Sequence, residues 1–187
     1  MEEIKKVHHL LKLKEIERRG RVKSRQESAA EHIYGCLILA DYFLPKAQKK
    51  MDRLKVYRLL IHHDLVNIEA GDTFVLDKKK VKTQFKRESD AASMLKAKLP
   101  VSMSNDFQKL WNEFTEQKTN EAKFCNAIDK LEPVLHSLFD KEAWIINKFT
   151  EQNLRANKEE HFTEFPEMLE FFNKLVKYMA DNGYFTS

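Results

Sequence analysis

Apolar residues recur through most of the chain at intervals of three and four positions, which is the spacing of an amphipathic helix. Leu110, Trp111 and Phe114 form one such stripe. The pattern predicts helices over residues 3–18, 29–44, 53–63, 64–71, 83–98, 104–117, 120–139, 141–154 and 166–182. Two polar segments without this spacing, residues 18–27 and 72–82, are predicted to be loops.

Several of the predicted helices begin or end at a residue that suits a helix terminus. Ser28 and Glu31 stand in the sequence "SAAE", the pattern of a capping box. Asp52 and Thr119 precede helical runs and are predicted N-caps. Gly71 closes the short run after residue 63, where a glycine commonly ends a helix. These termini support the helix boundaries that the apolar pattern gives.

The low content of turn-forming residues favours long helices over short strands. Glycine and proline number four each among 187 residues, and apolar residues make up 42% of the chain, which is typical of a globular protein. The length suits one domain of ordinary size. The sequence therefore predicts an all-α fold, a single compact multi-helix domain over residues 1–187.

Charge and cysteine content narrow the possible environments and partners. The net charge of +4 is spread along the chain, and the aromatic residues lie on apolar stripes, so a nucleic-acid partner is not expected. Cys36 and Cys125 have no CxxC partner, which predicts buried free thiols in a reducing compartment. The N-terminus is charged throughout, unlike a signal peptide, and no run of about 18 apolar residues occurs. We expect a cytoplasmic protein that does not enter a membrane.

The adjacent pair His63 and Asp64 raises the possibility of a metal site. Imidazole and carboxylate are common ligands of divalent cations. Adjacent helical residues point about 100° apart, so an ion bound by both would need further ligands from other helices. His32, in the first turn of its helix, and Asp129, between apolar neighbours, are the candidates. The alternatives are structural histidines and an Asp129 that pairs with Lys130.

Four stretches of the chain together resemble a known family. They are "ESAAEH" (27–32), "LLIHHDLVNIEAGDTFVLD" (59–77), "LWNEFTEQKTNEAKFCNAIDKLEPVL" (110–135) and the region from Trp144 to "NGYF" (182–185). The chain resembles the HD-domain metal-dependent phosphohydrolases, and within them the branch of the 5'-deoxynucleotidases. The resemblance implies an all-helical HD-domain fold whose metal-site core covers about 28–135, with the helices of 141–182 packed on it, and a homodimer.

The resemblance also implies a ligand set and an activity. One divalent ion, which could be Mn, Co, Mg, Fe, Ni or Zn, would be held by His32, His63, Asp64 and Asp129, and His62 would be structural. The expected activity is a metal-dependent phosphohydrolase, a phosphomonoesterase acting on (deoxy)nucleoside 5'-monophosphates. The partner would be a nucleotide-like small molecule.

Further residues are assigned to substrate and catalysis by the same resemblance. An arginine upstream of the first histidine contacts the substrate phosphate in the family, which points to Arg18, with Arg19 and Arg21 close behind. A functionally important aspartate of the family falls on Asp72. The alternatives are a solvated basic loop for the arginines and a turn carboxylate for Asp72.

Asn67 departs from the family pattern, in which a glutamate stands three residues after the HD pair. An amide can hold a water molecule but cannot accept its proton. Glu69 lies on another face of the helix and is a poor substitute. Three interpretations stay open: a slower phosphohydrolase that relies on the ion and Asp72, an enzyme with a changed substrate, or a catalytically weakened protein that binds metal and nucleotide as a sensor.

Overall fold

The computed structural model describes residues 1–73 and 78–186 and is predominantly helical, which confirms the all-α fold class. The helices are α1 (Glu2–Leu10), α2 (Ala29–Phe43), α3 (Arg53–His62), α4 (Asn67–Ala70), α5 (Lys78–Lys98), α6 (Val101–Glu116), α7 (Asn120–His136), α8 (Lys141–Ile146), α9 (Glu151–Lys158) and α10 (Pro166–Asp181). Two strands, β1 (Glu17–Val22) and β2 (Arg25–Ser28), precede α2. Short 3₁₀ segments follow several of the helices.

The predicted helix termini at Ser28, Asp52, Thr119 and Gly71 are confirmed. The Ser28 hydroxyl accepts a hydrogen bond from the Glu31 backbone N–H, and the Glu31 carboxylate accepts one from the Ser28 backbone N–H. The side chains of Asp52 and Thr119 accept hydrogen bonds from the first turns of α3 and α7. Gly71 has a φ of 71°, a backbone conformation that favours glycine.

The segment predicted as a loop over residues 18–27 is instead an antiparallel hairpin of β1 and β2, so that prediction was wrong. Glu17 pairs with Ser28 and Val22 pairs with Arg25. β1 alternates between exposed and half-buried positions, and β2 includes the buried Glu27, but the residues in both strands are mainly charged or polar. Strand periodicity is read from apolar residues, and this hairpin contains almost none.

Three predicted boundaries also required correction. The helix predicted to begin at residue 83 begins at Lys78, because lysine is a good helix former but a run of lysines carries no apolar signal in the sequence. The single helix predicted over 141–154 is two helices, α8 and α9, separated where Lys148 adopts a φ of 54° and Thr150 caps α9. The first helix ends at Leu10 and continues as a 3₁₀ segment. Residues 74–77, part of the predicted loop, lie outside the described residues.

Two groups of buried apolar side chains surround α2. The larger joins α2, α3 and α7 to α10 and includes Phe124, Phe162 and Phe172. The smaller joins α2 to α5 and α6. Because α2, α3 and α7 pack pairwise against one another, residues distant in sequence meet between them.

In the described part of the chain, no helix combines the length and the apolar content needed to span a bilayer. The cytoplasmic location stays a prediction.

Candidate metal centre

His32 lies in the first turn of α2, fully buried, between two carboxylates of α7. Its Nδ1 is 2.7 Å from Oε2 of Glu132, and its Nε2 is 3.0 Å from Oδ1 of Asp129. Gly35, about one turn further along α2, leaves room for the carboxylate, because a Cβ atom there would stand 2.5 Å from Oε1 of Glu132. Glu132 therefore fixes one nitrogen of the ring, and the other faces Asp129.

His63 and Asp64 lie where α3 ends and the chain turns toward α4. Nε2 of His63 is 3.6 Å from Oδ1 of Asp64 and 3.6 Å from Oδ1 of Asp129. Oδ2 of Asp64 is 3.9 Å from Nε2 of His32. The structure thus brings together all four side chains that the resemblance assigns as ligands.

His63 provides a test of whether these side chains fit a metal ion. Its Nδ1 lies 2.7 Å from the Leu60 carbonyl oxygen, so Nδ1 carries the proton of the neutral ring and Nε2 is the nitrogen that can bind an ion. Nε2 is buried and has no hydrogen-bond partner among residues 1–73 and 78–186. Ligand atoms around a small divalent ion stand about 3 Å apart, which is close to the separations found here. The residues fit such an ion, which would give this nitrogen a partner.

His62, in contrast, lies away from these side chains. Its Nδ1 donates a hydrogen bond to the Arg58 carbonyl oxygen at 2.7 Å, and its ring stands beside Phe107 of α6. Burial lowers the pKa of His62. This placement agrees with the expected structural role.

The two oxygens of Asp129 have different neighbours. Oδ2 accepts a hydrogen bond from Nζ of Lys130 at 2.7 Å, while Oδ1 faces His32 and His63. The alternative pairing with Lys130 is therefore present together with the contacts to the histidines. Burial acts to raise the pKa of Asp129, but Lys130 and the two imidazoles outweigh it and hold that pKa well below its usual range. Asp129 is a carboxylate at neutral pH, as a metal ligand must be.

Cys36 is a further neighbour of His32 that the sequence indicated only as a buried thiol. Its Sγ lies 3.6 Å from Nε2 of His32, and the residue is fully buried. Burial raises the pKa of this thiol to about 11, so it stays protonated at neutral pH. Cys36 nevertheless lies in one cluster with His32, His63 and Asp129, and its thiol could join them as a ligand only by losing its proton to the ion.

β1 places Arg18 beside the candidate ligands. Its guanidinium donates to Oδ1 of Asp72 at 2.9 Å and to Oδ2 of Asp64 at 3.3 Å, and its Nε lies 3.4 Å from Oε2 of Glu27. Successive strand residues point to opposite faces, and Arg19 is accordingly exposed. Arg18, the first of the three arginines considered as phosphate ligands, is thus the one that reaches the candidate ligands.

The remaining arginines of the hairpin point elsewhere. Arg21 donates to the Ser24 carbonyl oxygen, and Arg25 pairs with Glu31 at the protein surface.

Asp72 and Asn67 occupy the segment that follows Asp64. Asp72 comes directly after Gly71 and has a half-buried carboxylate; burial and the charge of Asp64 raise its pKa, against the opposing effect of Arg18. Asn67 is buried at the start of α4, where its backbone N–H donates to the Asp64 carbonyl oxygen at 3.0 Å. The segment therefore contacts the candidate ligand Asp64 in two ways, through Arg18, which Asp72 and Asp64 share, and through the backbone hydrogen bond of Asn67.

Comparison with known proteins agrees with this geometry. A model of the HD domain matches residues 10–169, most of the chain. The chain belongs to the HD domain family. Among its HD-domain relatives is the 5'-deoxynucleotidase HDDC2 of Bos taurus, 27% identical over 128 residues, a match that covers 67% of this chain and 61% of that protein. The Xenopus laevis protein of the same name is 28% identical over 129 residues, a match that covers 67% of this chain and 63% of that protein.

Solved HD-domain structures are similar over nearly the whole chain. A protein of Magnetospirillum magnetotacticum described as a predicted metal-dependent phosphohydrolase is 27% identical, with a TM-score of 0.87 over 100% of this chain and 95% of that one. An HD-domain phosphohydrolase of Listeria innocua is 21% identical, with a TM-score of 0.64 over 94% of this chain and 84% of that one. At this identity the similarity supports the fold alone. The chain spans less than two thirds of the two HDDC2 relatives. The family resemblance inferred from the sequence motifs is confirmed.

Sequence reasoning missed three polar residues behind the HD-family site. Glu132 holds His32, and Glu27 lies 3.4 Å from both Arg18 and Nδ1 of His136. Glu27 and Glu132 are both buried. A signal existed for Glu132, because a carboxylate between Leu131 and Pro133 on the buried side of a helix needs a partner.

Replacing Glu132 by glutamine is expected to weaken the binding of a divalent ion about 10- to 100-fold, the usual effect of removing a carboxylate that orients a histidine ligand. The amide keeps the shape and one acceptor oxygen, but it removes the negative charge that holds the His32 proton on Nδ1 and makes the ring a stronger ligand. Competition with a chromophoric chelator measures the affinity. Glu170→Gln, which removes an exposed carboxylate on α10, is the matched control. Equal affinities of Glu132→Gln and the parent protein would contradict the assignment.

Proposed function

We propose that this HD-domain protein is a metal-dependent phosphohydrolase, a phosphomonoesterase that acts on (deoxy)nucleoside 5'-monophosphates. The observation that carries the proposal is the buried, unpartnered Nε2 of His63, which stands among His32, Asp64 and Asp129 next to Arg18. A set of metal ligands adjoining a guanidinium is the combination that phosphoryl transfer requires, because that reaction depends on positioning and positive charge. The name of the HDDC2 relatives supports the nucleotide substrate, and that of the Magnetospirillum protein supports metal-dependent phosphohydrolysis.

In this proposal His32, His63, Asp64 and Asp129 hold one divalent ion. The ion would polarise the phosphate and activate a water molecule. Asp129 and Asp64 enter as carboxylates, because neighbouring cations outweigh the effect of burial and lower the pKa of each. His63 would bind the ion through Nε2, because Nδ1 donates to the Leu60 carbonyl oxygen, and the ion would compete there with the proton that Asp64 and Asp129 favour on this ring.

Arg18 is the proposed phosphate ligand. Its guanidinium is oriented by Asp72 and Glu27, and its fork-shaped donor set matches two phosphate oxygens. Asp72, whose pKa is raised, is a candidate to hold a proton near the leaving group or the attacking water. Asn67 can orient a water molecule through its amide.

The second candidate is a catalytically weakened protein that binds metal and nucleotide as a sensor. The specific observation in its favour is Asn67, which places an amide where the family carries a proton acceptor. This candidate predicts the same metal and nucleotide binding without turnover.

Metal analysis combined with a phosphate-release assay tests the proposed function. The purified protein, supplied in turn with Mn²⁺, Co²⁺ and Mg²⁺, is incubated with a panel of ribo- and deoxynucleoside monophosphates. We expect a bound divalent ion and phosphate release from at least one 5'-monophosphate, and none from the 3'-monophosphates. Metal and nucleotide binding without release would favour the sensor. A homodimer, a cytoplasmic location and a single domain over 1–187 stay predictions.

A further inference from the structure

Lys130 stands next to the candidate metal centre without belonging to the assigned ligand set. It follows Asp129 in α7, and its Nζ donates a hydrogen bond to Oδ2 of Asp129 at 2.7 Å. The side chain of Lys130 is 36% exposed, whereas that of Asp129 is 13% exposed. Lys130 is therefore open to solvent while its ammonium group contacts a proposed metal ligand.

Asp64 and Asp129 share one arrangement of contacts. Oδ1 of each carboxylate lies 3.6 Å from Nε2 of His63. Oδ2 of each accepts a hydrogen bond from a cation, which is Arg18 for Asp64, at 3.3 Å, and Lys130 for Asp129, at 2.7 Å. Arg18 and Lys130 thus make corresponding contacts with the two carboxylates, although one comes from β1 and the other from α7.

A bound divalent ion would change which charges of the centre are balanced. The two positive charges of an ion held by Asp64 and Asp129 would offset the negative charges of both carboxylates. The ammonium group of Lys130 would then stand beside a carboxylate whose charge is already neutralised. A cation in this position, with access to solvent, suits a further anion that binds at the centre.

We propose that Lys130 is a ligand of the substrate phosphate and contacts it together with Arg18. The inference rests on the proposed function and adds a residue to it. Phosphoryl transfer depends on positive charge around the phosphate oxygens, and Lys130 would supply such a charge from α7. An ammonium group has three N–H donors, so Nζ can contact a phosphate oxygen while it still donates to Oδ2 of Asp129.

The test is the binding of inorganic phosphate to protein saturated with Mn²⁺, measured by calorimetry, with a non-hydrolysable phosphonate analogue of dAMP as the second ligand. Lys130→Met is expected to raise the dissociation constant of both ligands about 10- to 100-fold, the range for loss of a charge-assisted hydrogen bond. Lys130→Gln, which keeps a donor for Asp129, should show the same loss and replaces Lys130→Met if that variant does not fold. Lys130→Arg should keep most of the affinity, because the positive charge remains.

Lys123→Met is the matched control and should bind both ligands as the parent protein does. Lys123 lies in the same helix, its side chain is also 36% exposed, and its Nζ contacts a carboxylate oxygen of Glu164 at 2.7 Å. The two substitutions therefore remove lysines of equal exposure, each paired with one carboxylate, and only Lys130 contacts a proposed metal ligand.

The affinity for Mn²⁺, measured separately, distinguishes a phosphate ligand from a lysine that only orients Asp129. An orienting lysine would change the Mn²⁺ affinity of Lys130→Met but leave the phosphate affinity of the Mn²⁺-saturated protein equal to that of the parent. That equality, or a parent protein that binds neither ligand, would overturn the inference. A parent protein that binds the phosphonate but releases no phosphate from dAMP would contradict the proposed hydrolysis alone, and the comparison of affinities would still decide the role of Lys130.

Discussion

Asp129→Asn is expected to abolish retention of the divalent ion and to lower phosphate release at least about 1000-fold, which corresponds to about 4 kcal/mol of transition-state stabilisation. Oδ1 of Asp129 faces both candidate histidine ligands and lies 3.0 Å from Nε2 of His32 and 3.6 Å from Nε2 of His63. The amide has nearly the same shape but carries no charge. It would also leave the Lys130 ammonium without its carboxylate partner.

The measurement is metal content after dialysis, followed by phosphate release from the preferred nucleotide at saturating Mn²⁺. Asp106→Asn is the matched control, because it removes an exposed carboxylate that pairs with Arg58 away from the site. Both variants should melt as single transitions, and the metal-dependent rise in melting temperature should be lost in Asp129→Asn alone. If Asp129→Asn retains stoichiometric metal and normal turnover, the proposed ligand set is incorrect.

The sequence predicted the parts of this structure in which local signals agree with one another. Ser28 and Thr119 begin helices because their side chains cap the first turn, and the apolar stripes behind them determine which face is buried. The proximity of His32 and Asp129 could not be predicted from local signals, because α2 and α7 are far apart in the chain. The motif resemblance provided that information, and the packing of α2 on α7 places the two side chains 3.0 Å apart.

Other parts could not be predicted because their signals are tertiary. The strand that carries Arg18 is largely charged, so no apolar alternation marks it. Arg18 and Arg19 could be distinguished only once the strand showed which of them faces inward.

Asn67 is the residue at which the proposed hydrolysis and the proposed sensor are expected to differ. Asn67→Glu is expected to raise the rate of phosphate release about 10²- to 10⁴-fold, the usual contribution of a general base. Asn67 lies three residues after Asp64, and its backbone N–H donates to the Asp64 carbonyl oxygen. A carboxylate at this position can accept the proton of an attacking water, which the amide cannot. The measurement is kcat with the preferred 5'-monophosphate at saturating metal.

Asn67→Gln is the control that separates basicity from size, because glutamine has the length of glutamate without a titratable group. We expect the rate of Asn67→Gln to equal that of the parent protein. The rate of Asn67→Glu should rise with pH through the pKa of the new carboxyl group, and the pH profile of the parent protein should lack this rise. A buried position makes the introduced charge costly, so the melting temperature of Asn67→Glu should recover when metal is added. If Asn67→Glu binds metal but is no faster than Asn67→Gln, the amide at this position is not what limits hydrolysis, and the orientation of the phosphate by Arg18 becomes the next step to test.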